Sequence, residues 1–246
     1  MRRPGRRAGD VVWMLALPTA LTAVWWVVSD TSDNLYFPPL RTILEVFPAT
    51  WLDGGSESRL VHDVVPSLAR LLTGYTVAAV AGVTFGVLIG RRPWLRAVVE
   101  PVIEMFRAVP PPVIVPVLVA LAGIDDTMKI LVIVFGCLWP IMLNTVEGVR
   151  VLDPVADETC RCYGVQGPGR LAVLVLPAAS PRIVTGLRQS LSIAVILMVI
   201  SEMVVSTNGL GFTVVQFQRT FALPEMWTGI IVLGVVGVLL SMLFRV

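Results

Sequence analysis

The 246-residue chain contains few charged side chains: aspartate, glutamate, lysine and arginine together make up 15%, whereas 56% of the residues are hydrophobic. A soluble globular domain normally carries about 25% charged residues. So small a charged fraction excludes an ordinary soluble domain. The composition therefore predicts a polytopic membrane protein.

Lysine and histidine are almost absent, with one residue of each type, Lys129 and His62. A phosphate-binding loop needs a lysine in a glycine-rich turn, so any ATP hydrolysis must come from another polypeptide. The chain also lacks a Ser/His/Asp set, a His-Glu-x-x-His motif, a dinucleotide fingerprint and a metal cluster, so we expect no catalytic residue, cofactor or metal. We interpret His62 as a solvated surface residue without a partner or a role. A membrane enzyme is the weaker hypothesis, since it would need a zinc or paired-acid site.

Only three cysteines are present, Cys137, Cys160 and Cys162. A Cys-x-Cys pair on a helix points its thiols apart, which fits neither a disulfide framework nor a zinc knuckle. We interpret all three as reduced, small apolar residues.

Arginine supplies nearly all of the positive charge, and its clustering predicts the membrane topology. By the positive-inside rule, three arginine groups are cytoplasmic, and six crossings with both termini in the cytoplasm satisfy the pattern. The groups are Arg2, Arg3, Arg6 and Arg7; Arg91, Arg92 and Arg96; and Arg150, Arg161, Arg170, Arg182 and Arg188. The six predicted spans are residues 11–28, 68–90, 98–124, 130–146, 183–205 and 227–244. We expect the first span to be retained, because no convincing signal cleavage site follows it.

Small residues recur at regular intervals along the second predicted span and form a ladder. Its members recur every four residues and therefore share one helix face, where another helix can approach closely. They are Gly74, Ala78, Gly82, Gly86 and Gly90.

Two features inside the spans are candidates for a translocation path or gate. Four prolines, Pro110, Pro111, Pro112 and Pro116, fall within seven residues of the third span and cannot sit in an undisturbed helix. Broken backbone at membrane depth is tolerated in a protein interior or along a wet cavity, although a kink used only for packing is an open alternative. The second feature, Glu202 in the fifth span, can contact cargo, steady an outer gate or make a structural contact with a neighbouring loop, and the structural contact is favoured.

Residues 150–182 contain a short, terminated helix. Asp153 suits the N-cap, Pro154 the first helical position and Gly164 the end, which gives about ten residues or roughly 15 Å of helix. Arg161 lies one turn beyond Glu158, so we expect an i,i+3 ion pair between them.

The apolar run at residues 171–176 is too short to cross a bilayer and is predicted to lie at the membrane surface. Pro177 should stop it, and Ser180 with Pro181 should begin the next long helix.

The same loop carries a spaced signature. Its residues reproduce the pattern Glu-Ala-Ala, three residues, Gly, nine residues, Ile-x-Leu-Pro, with Thr and Cys for two alanines and Leu for isoleucine. They are Glu158, Thr159, Cys160, Gly164, Leu174, Leu176 and Pro177. This stretch resembles the coupling loop of the permeases of binding-protein-dependent ABC importers, in the nitrate, sulfonate and taurine branch.

The resemblance implies an all-α, six-helix type I importer permease (MetI-like) fold in one transmembrane domain, residues 1–246. It implies that residues 154–164 dock onto a cytoplasmic ATPase, with Asp157 added to the seven signature residues as the coupling set. Implied partners are two ABC ATPase subunits, a second permease (a copy or close paralogue), an extracytoplasmic solute-binding protein and membrane lipid, with no nucleic acid. The implied location is the bacterial cytoplasmic membrane, and the implied cargo is a small anionic solute such as a sulfonate, taurine or nitrate. The alternative, a secondary transporter or channel driven by an ion gradient, leaves the docking signature unexplained.

Overall fold

The computed structural model of the chain describes residues 5–31, 34–55 and 58–243, and the side chains of residues 5–15 and 243 lie outside this description. Three sequence predictions fall at least partly outside it: the N-terminal arginine group, the first residues of span 11–28, and the end of span 227–244.

The described residues form α-helices joined by short turns, without a strand among them. The helices, in chain order, are α1 Gly5–Asp30, α2 Leu40–Trp51, α3 Val65–Gly90, α4 Pro93–Arg107, α5 Val115–Ala122, α6 Asp126–Arg150, α7 Pro154–Cys162, α8 Gly167–Arg170, α9 Leu176–Val204, α10 Leu210–Arg219 and α11 Leu223–Leu243. Leu60–Val64 and Leu171–Val175 are π-helical, and Pro111–Ile114 is a 3₁₀ turn.

The chain forms two compact units. The first consists of Met1–Val61 and Thr213–Val232, and the second of His62–Phe212 and Leu233–Val246. In the first unit the rings of Trp25, Phe37 and Trp227 pack together with centroids no more than 6.0 Å apart. The buried indole of Trp51 donates to Thr228 Oγ1 at 2.7 Å.

In the second unit, the predicted small-residue ladder of α3 packs against α6. A Cβ atom added at Gly74, Gly82 or Gly90 would come within 2.9 Å of a side chain on α6, and at Gly86 within 2.5 Å. The α6 residues met by these four glycines are, in the same order, Ile133, Ile141, Val149 and Thr145. Because the contacts advance together along both helices, α3 and α6 run parallel. The prediction that this face meets another helix is confirmed.

Helix α9 packs on α6 in the opposite direction. Gly148 lies against Arg182, and Gly186 lies against Asn144. The core of the second unit thus has two ends. The C-terminal ends of α3 and α6 lie at one of them, beside α7, and the C-terminal end of α9 lies at the other. We call them the α7 end and the Glu202 end.

Since α3 and α6 are parallel, the chain between them must return from one end of the core to the other. Helices α4 and α5 make this return, and their axes bend by 83° at the proline-rich break. The break predicted from the prolines is therefore confirmed.

Four helical segments among the described residues are long and apolar enough to cross a bilayer, or five if the bent pair is one span. The four are Leu60–Gly90, Asp126–Arg150, Gly167–Val204 and Leu223–Met242. The first predicted span falls on α1, whose first side chains are not described.

The predicted stop at Pro177 is wrong. Helix α8, the π-helical segment and α9 form one continuous helical segment, Gly167–Val204, with Pro181 inside it. The π-helical hydrogen bond from Leu176 N–H to Leu171 C=O changes the backbone register immediately before Pro177, which lets the proline enter the first turn of α9. Pro181 cannot donate to the Pro177 carbonyl, and the Ser180 hydroxyl donates to it instead at 2.8 Å.

Candidate coupling helix and translocation site

Local capping interactions define α7 as a separate short helix. The Asp153 side chain accepts a hydrogen bond from Val155 N–H at 2.9 Å, and Pro154 occupies the first turn. At the other end, Gly164 has φ 69°, with its N–H donating to Arg161 C=O. This is a glycine-terminated Schellman arrangement, so the predicted beginning and end are confirmed.

The two neighbouring acids of α7 have different surroundings. Asp157 forms ion pairs with Arg161 at 3.1 Å and with Arg170 of α8. Glu158 is exposed and forms no ion pair or hydrogen bond within the described part of the chain. The predicted Glu158–Arg161 pair is therefore wrong. Arg161 instead pairs at i,i+4 with Asp157, on the face of α7 that Arg170 also reaches.

The remaining signature residues lie around this contact. Helix α7 has no buried residue, and it packs on the π-helical segment Leu171–Val175 that leads into α9. Cys160 and Leu174 are half-buried, Thr159 and Gly164 are exposed, and Leu176 with Pro177 begins α9. The three cysteines are free thiols. The structure thus brings the two halves of the signature, residues 157–164 and 174–177, to the same end of the core.

A cavity of about 660 Å³ lies within the second unit, between the proline break, α6 and α9. Pro111 and Pro112 line it, whereas Pro110 immediately precedes the 3₁₀ turn as its N-cap and Pro116 lies in the first turn of α5. Of the four predicted prolines, two therefore face the cavity and two shape the backbone beside it. The complete lining comprises Arg107, Val109, Pro111, Pro112, Gly136, Trp139, Pro140, Leu143, Asn144, Glu147, Arg182, Gln189, Ile193, Ile196, Leu197 and Ile200.

Glu202, the other predicted path residue, does not line this cavity. Its side chain is buried at the Glu202 end, where it accepts hydrogen bonds from Ser67 Oγ at 2.7 Å, Arg70 Nη1 at 2.8 Å and Gly211 N–H at 3.0 Å. Arg70 also contacts Asp126 at 2.8 Å, so one guanidinium joins the ends of α3, α6 and α9. The donors lie on α3 and in the first turn of α10, so Glu202 makes structural contacts with other helices, whereas the favoured contact was with a neighbouring loop. A role for Glu202 in the path or gate stays a prediction.

A loop closes over this cluster at a glycine. Gly209 has φ 113°, and a Cβ atom there would lie 2.5 Å from the Glu202 carboxylate. Its N–H donates to Asp63 Oδ1 at 3.2 Å. His62 has a partner as well, since its Nδ1 lies 3.1 Å from Asp63 Oδ1, although its side chain is 67% exposed. The expectation that this histidine has no partner is wrong.

Sequence reasoning missed the partners of Glu202. Arg70 is an arginine within an otherwise apolar predicted span, and that exception is the signal that could have located it. Ser67 lacks any such signal, since polar residues are common near span ends.

Comparison with known proteins decides the family. The family model described as binding-protein-dependent transport system inner membrane component matches residues 82–246. The taurine transport system permease protein TauC of Escherichia coli (strain K12) is 30% identical over 228 residues, which cover 92% of this chain and 83% of that protein. The chain belongs to the permeases of the binding-protein-dependent ABC importers.

Other relatives of the permease belong to the same branch. The putative aliphatic sulfonates transport permease protein SsuC of Bacillus subtilis (strain 168) is 28% identical over 246 residues, covering 99% of this chain and 88% of that protein. The nitrate import permease protein NrtB of Synechocystis sp. is 26% identical over 231 residues, covering 92% and 84%.

A solved structure shares the permease fold. A chain of the MetNI methionine ABC transporter in an inward-facing conformation superposes with a TM-score of 0.67 at 20% identity, covering 78% of this chain and 96% of that one. The predicted MetI-like, all-α polytopic fold is confirmed. As a member of this family, the permease is a multi-pass inner membrane component that works with ATPase and solute-binding subunits.

Proposed function

We propose that α7 is the element through which this permease docks onto a cytoplasmic ATP-hydrolysing subunit. The observation that carries the proposal is that α7 has no buried residue, while Asp157 ties it to Arg170 near the beginning of the segment that continues as α9. A surface helix fixed in this way can bind a partner on its free face and transmit displacement through its fixed face.

The signature residues divide between these two tasks. Glu158 faces solvent and offers a carboxylate to the ATPase, and the small side chains of Thr159 and Cys160 permit close docking. Gly164 ends the helix in a left-handed conformation, and Leu174, Leu176 and Pro177 carry the motion into α9.

The number of permeases in the transporter follows from the single docking helix of each chain. A transporter with two ATPases needs two permeases, either two copies of this chain or this chain with a close paralogue, and an extracytoplasmic binding protein delivers the solute. ATP hydrolysis belongs to the ATPases, because the single lysine of this chain lies outside any glycine-rich turn. The α7 end faces the cytoplasm in this arrangement, and both termini lie on that side.

The cargo is a small solute with an anionic group. The relatives reported above are named for taurine, aliphatic sulfonates and nitrate, each of which is an oxyanion or carries an oxyanion group. Selection among such solutes rests largely with the binding protein, which is another chain.

The experiment compares a substitution on α7 with one at the glycine that terminates it. Glu158→Lys is expected to weaken co-purification of the cognate ATPase by about tenfold or more, equivalent to about 1.4 kcal/mol of binding. Gly164→Leu is expected to do the same, since a branched side chain is strained at φ 69°, whereas Gly164→Asn should be tolerated. Glu45→Lys, at an exposed glutamate of α2, is the charge-matched control. Wild-type co-purification and transport in both Glu158→Lys and Gly164→Leu would contradict the proposal.

A further inference from the structure

The cavity of about 660 Å³ beside the proline break has a graded lining along α9. Arg182, Gln189, Ile193, Ile196 and Ile200 all face it. Their spacings of seven, four, three and four residues place them on one side of the helix. The lining of α9 therefore changes from cationic through polar to apolar over about 27 Å, at 1.5 Å per residue, from the α7 end inward.

The charges around the cavity leave one guanidinium uncompensated. Arg107 pairs with Glu104 at 2.8 Å, and Glu147 pairs with Arg150 at 2.6 Å. Arg182 forms no ion pair or hydrogen bond with the described residues. The cavity thus combines an unpaired positive charge with an apolar wall, which strengthens its attraction for an anion.

Packing against α6 positions this arginine. A Cβ atom at Gly148 would lie 2.9 Å from Arg182 Cβ, so the glycine allows the arginine stem to lie directly against α6. One helical turn earlier on α6, Asn144 also lines the cavity. Its Nδ2 donates one N–H to Pro140 C=O at 2.8 Å, which leaves the second N–H available to an anion.

We propose that this cavity binds an organic anion with an apolar group, holding the acid group at Arg182 and Gln189 and the apolar group along Ile193 to Ile200. The inference rests on the proposed function in taking this anion to be the cargo on its way to the α7 end. The same chemistry is also found in an anionic lipid, so the experiment separates these two sources.

The test uses charged thiol reagents and needs no knowledge of the cargo. Ile193→Cys is the reporter, in a Cys160→Ala, Cys162→Ala background of the assembled transporter in phosphatidylcholine nanodiscs. Each rate is divided by the rate of the same reagent with a free thiol in solution, because a thiolate intrinsically favours the cationic reagent. On this scale sulfonatoethyl methanethiosulfonate, an anion, should modify the reporter faster than its trimethylammonioethyl counterpart, a cation. Arg182→Gln should lower the ratio of the two rates by about tenfold, and Arg182→Lys should preserve it. Arg188→Gln, at an exposed arginine of α9 outside the cavity, should change the ratio less than about twofold.

A competition measurement identifies the source of the anion. Butanesulfonate should protect the reporter from modification, butylammonium should not, and protection should be lost in Arg182→Gln. Protection by added phosphatidylglycerol but not by butanesulfonate would assign the cavity to lipid and overturn its place on the cargo route. A rate ratio unchanged by Arg182→Gln would overturn the anion site itself. Both measurements read the cavity itself and keep Glu158 and Gly164 unchanged, so failure here leaves the role of α7 intact. Unchanged co-purification in the Glu158→Lys test would likewise leave these rates interpretable.

Discussion

Two glutamates of this permease have different roles because their surroundings differ. Glu158 is exposed on α7 without a partner in the described chain, whereas Glu202 is 1% exposed and bound by Ser67, Arg70 and a backbone N–H. A buried carboxylate needs compensation from its neighbours, and an exposed one is available to another protein. Glu202 is therefore suited to holding helices together, and Glu158 to docking.

The buried ion cluster at the Glu202 end makes a prediction about stability. Arg70→Met removes the guanidinium that binds both Glu202 and Asp126, and leaves the Glu202 carboxylate buried with its charge poorly compensated. The free energy of unfolding should fall by about 3–5 kcal/mol. Denaturant unfolding of the purified permease in detergent measures this loss.

The matched control is the same substitution in an exposed ion pair. Arg41 and Glu45 lie 2.9 Å apart with side chains 75% and 64% exposed, so Arg41→Met should cost only about 0–1 kcal/mol. Equal losses in the two variants would show that burial of the cluster contributes nothing.

The cluster also shows where residue-level prediction stops. A carboxylate in an apolar span identifies Glu202 as unusual from the sequence alone. Its pairing with Arg70, 132 positions away, depends on how α3 and α9 pack, and no local pattern encodes that. For the same reason, the sequence favoured a structural contact for Glu202 without identifying the residues that make it.

At the scale of elements, locally encoded features were predicted well. The beginning and end of α7 depend on Asp153, Pro154 and Gly164, whose effects act within a few residues. Pro177 was misread because its effect depends on the hydrogen-bond register before it. The π-helical bond between Leu176 and Leu171 accommodates the proline, so a long helix continues where a stop was expected.

This continuity makes the link between α7 and α9 testable. Arg170→Ala removes the bond from Asp157 to the segment that runs into α9 and lines the cavity. The ATPase should still co-purify, because Glu158 is untouched. A nonhydrolysable ATP analogue should change the modification rate of the Ile193→Cys reporter when Arg170 is present. In Arg170→Ala this nucleotide-induced change should be smaller by at least about fivefold, a factor at the low end of usual coupling energies.

Two further variants identify the Asp157–Arg170 bond as the cause. Exchanging the charges, Asp157→Arg with Arg170→Asp, should restore part of the nucleotide effect. Arg161→Ala removes the more exposed partner of Asp157 and should leave the effect within about twofold of wild type. Loss of the nucleotide effect in Arg161→Ala alone would show that α7 transmits motion by a different contact.

At the scale of the whole molecule, helix direction constrains how the chain crosses the membrane. Parallel packing of α3 and α6 requires a return between them, which the bent pair α4 and α5 supplies. The sequence predicted this return from length and hydrophobicity and located its break from the prolines. The alternating crossings also implied that α9 runs opposite to α6, but the sequence could not predict which faces of the two helices pack together.

The helix directions and the arginine groups together predict which side α7 occupies. Gly90, Arg150 and α7 lie at one end of the core, beside the arginines at 91 and 92, so the positive-inside rule places that end in the cytoplasm.

Cys162 is exposed on α7 and reports on this side. In a Cys160→Ala background, a membrane-impermeant maleimide should label Cys162 in inverted membrane vesicles and leave it unlabelled in spheroplasts. Asp53→Cys, in a segment predicted to lie outside and with both α7 cysteines replaced, should show the reverse. Labelling of Cys162 in spheroplasts would place α7 on the side of the solute-binding protein, where no ATP-hydrolysing subunit could reach it.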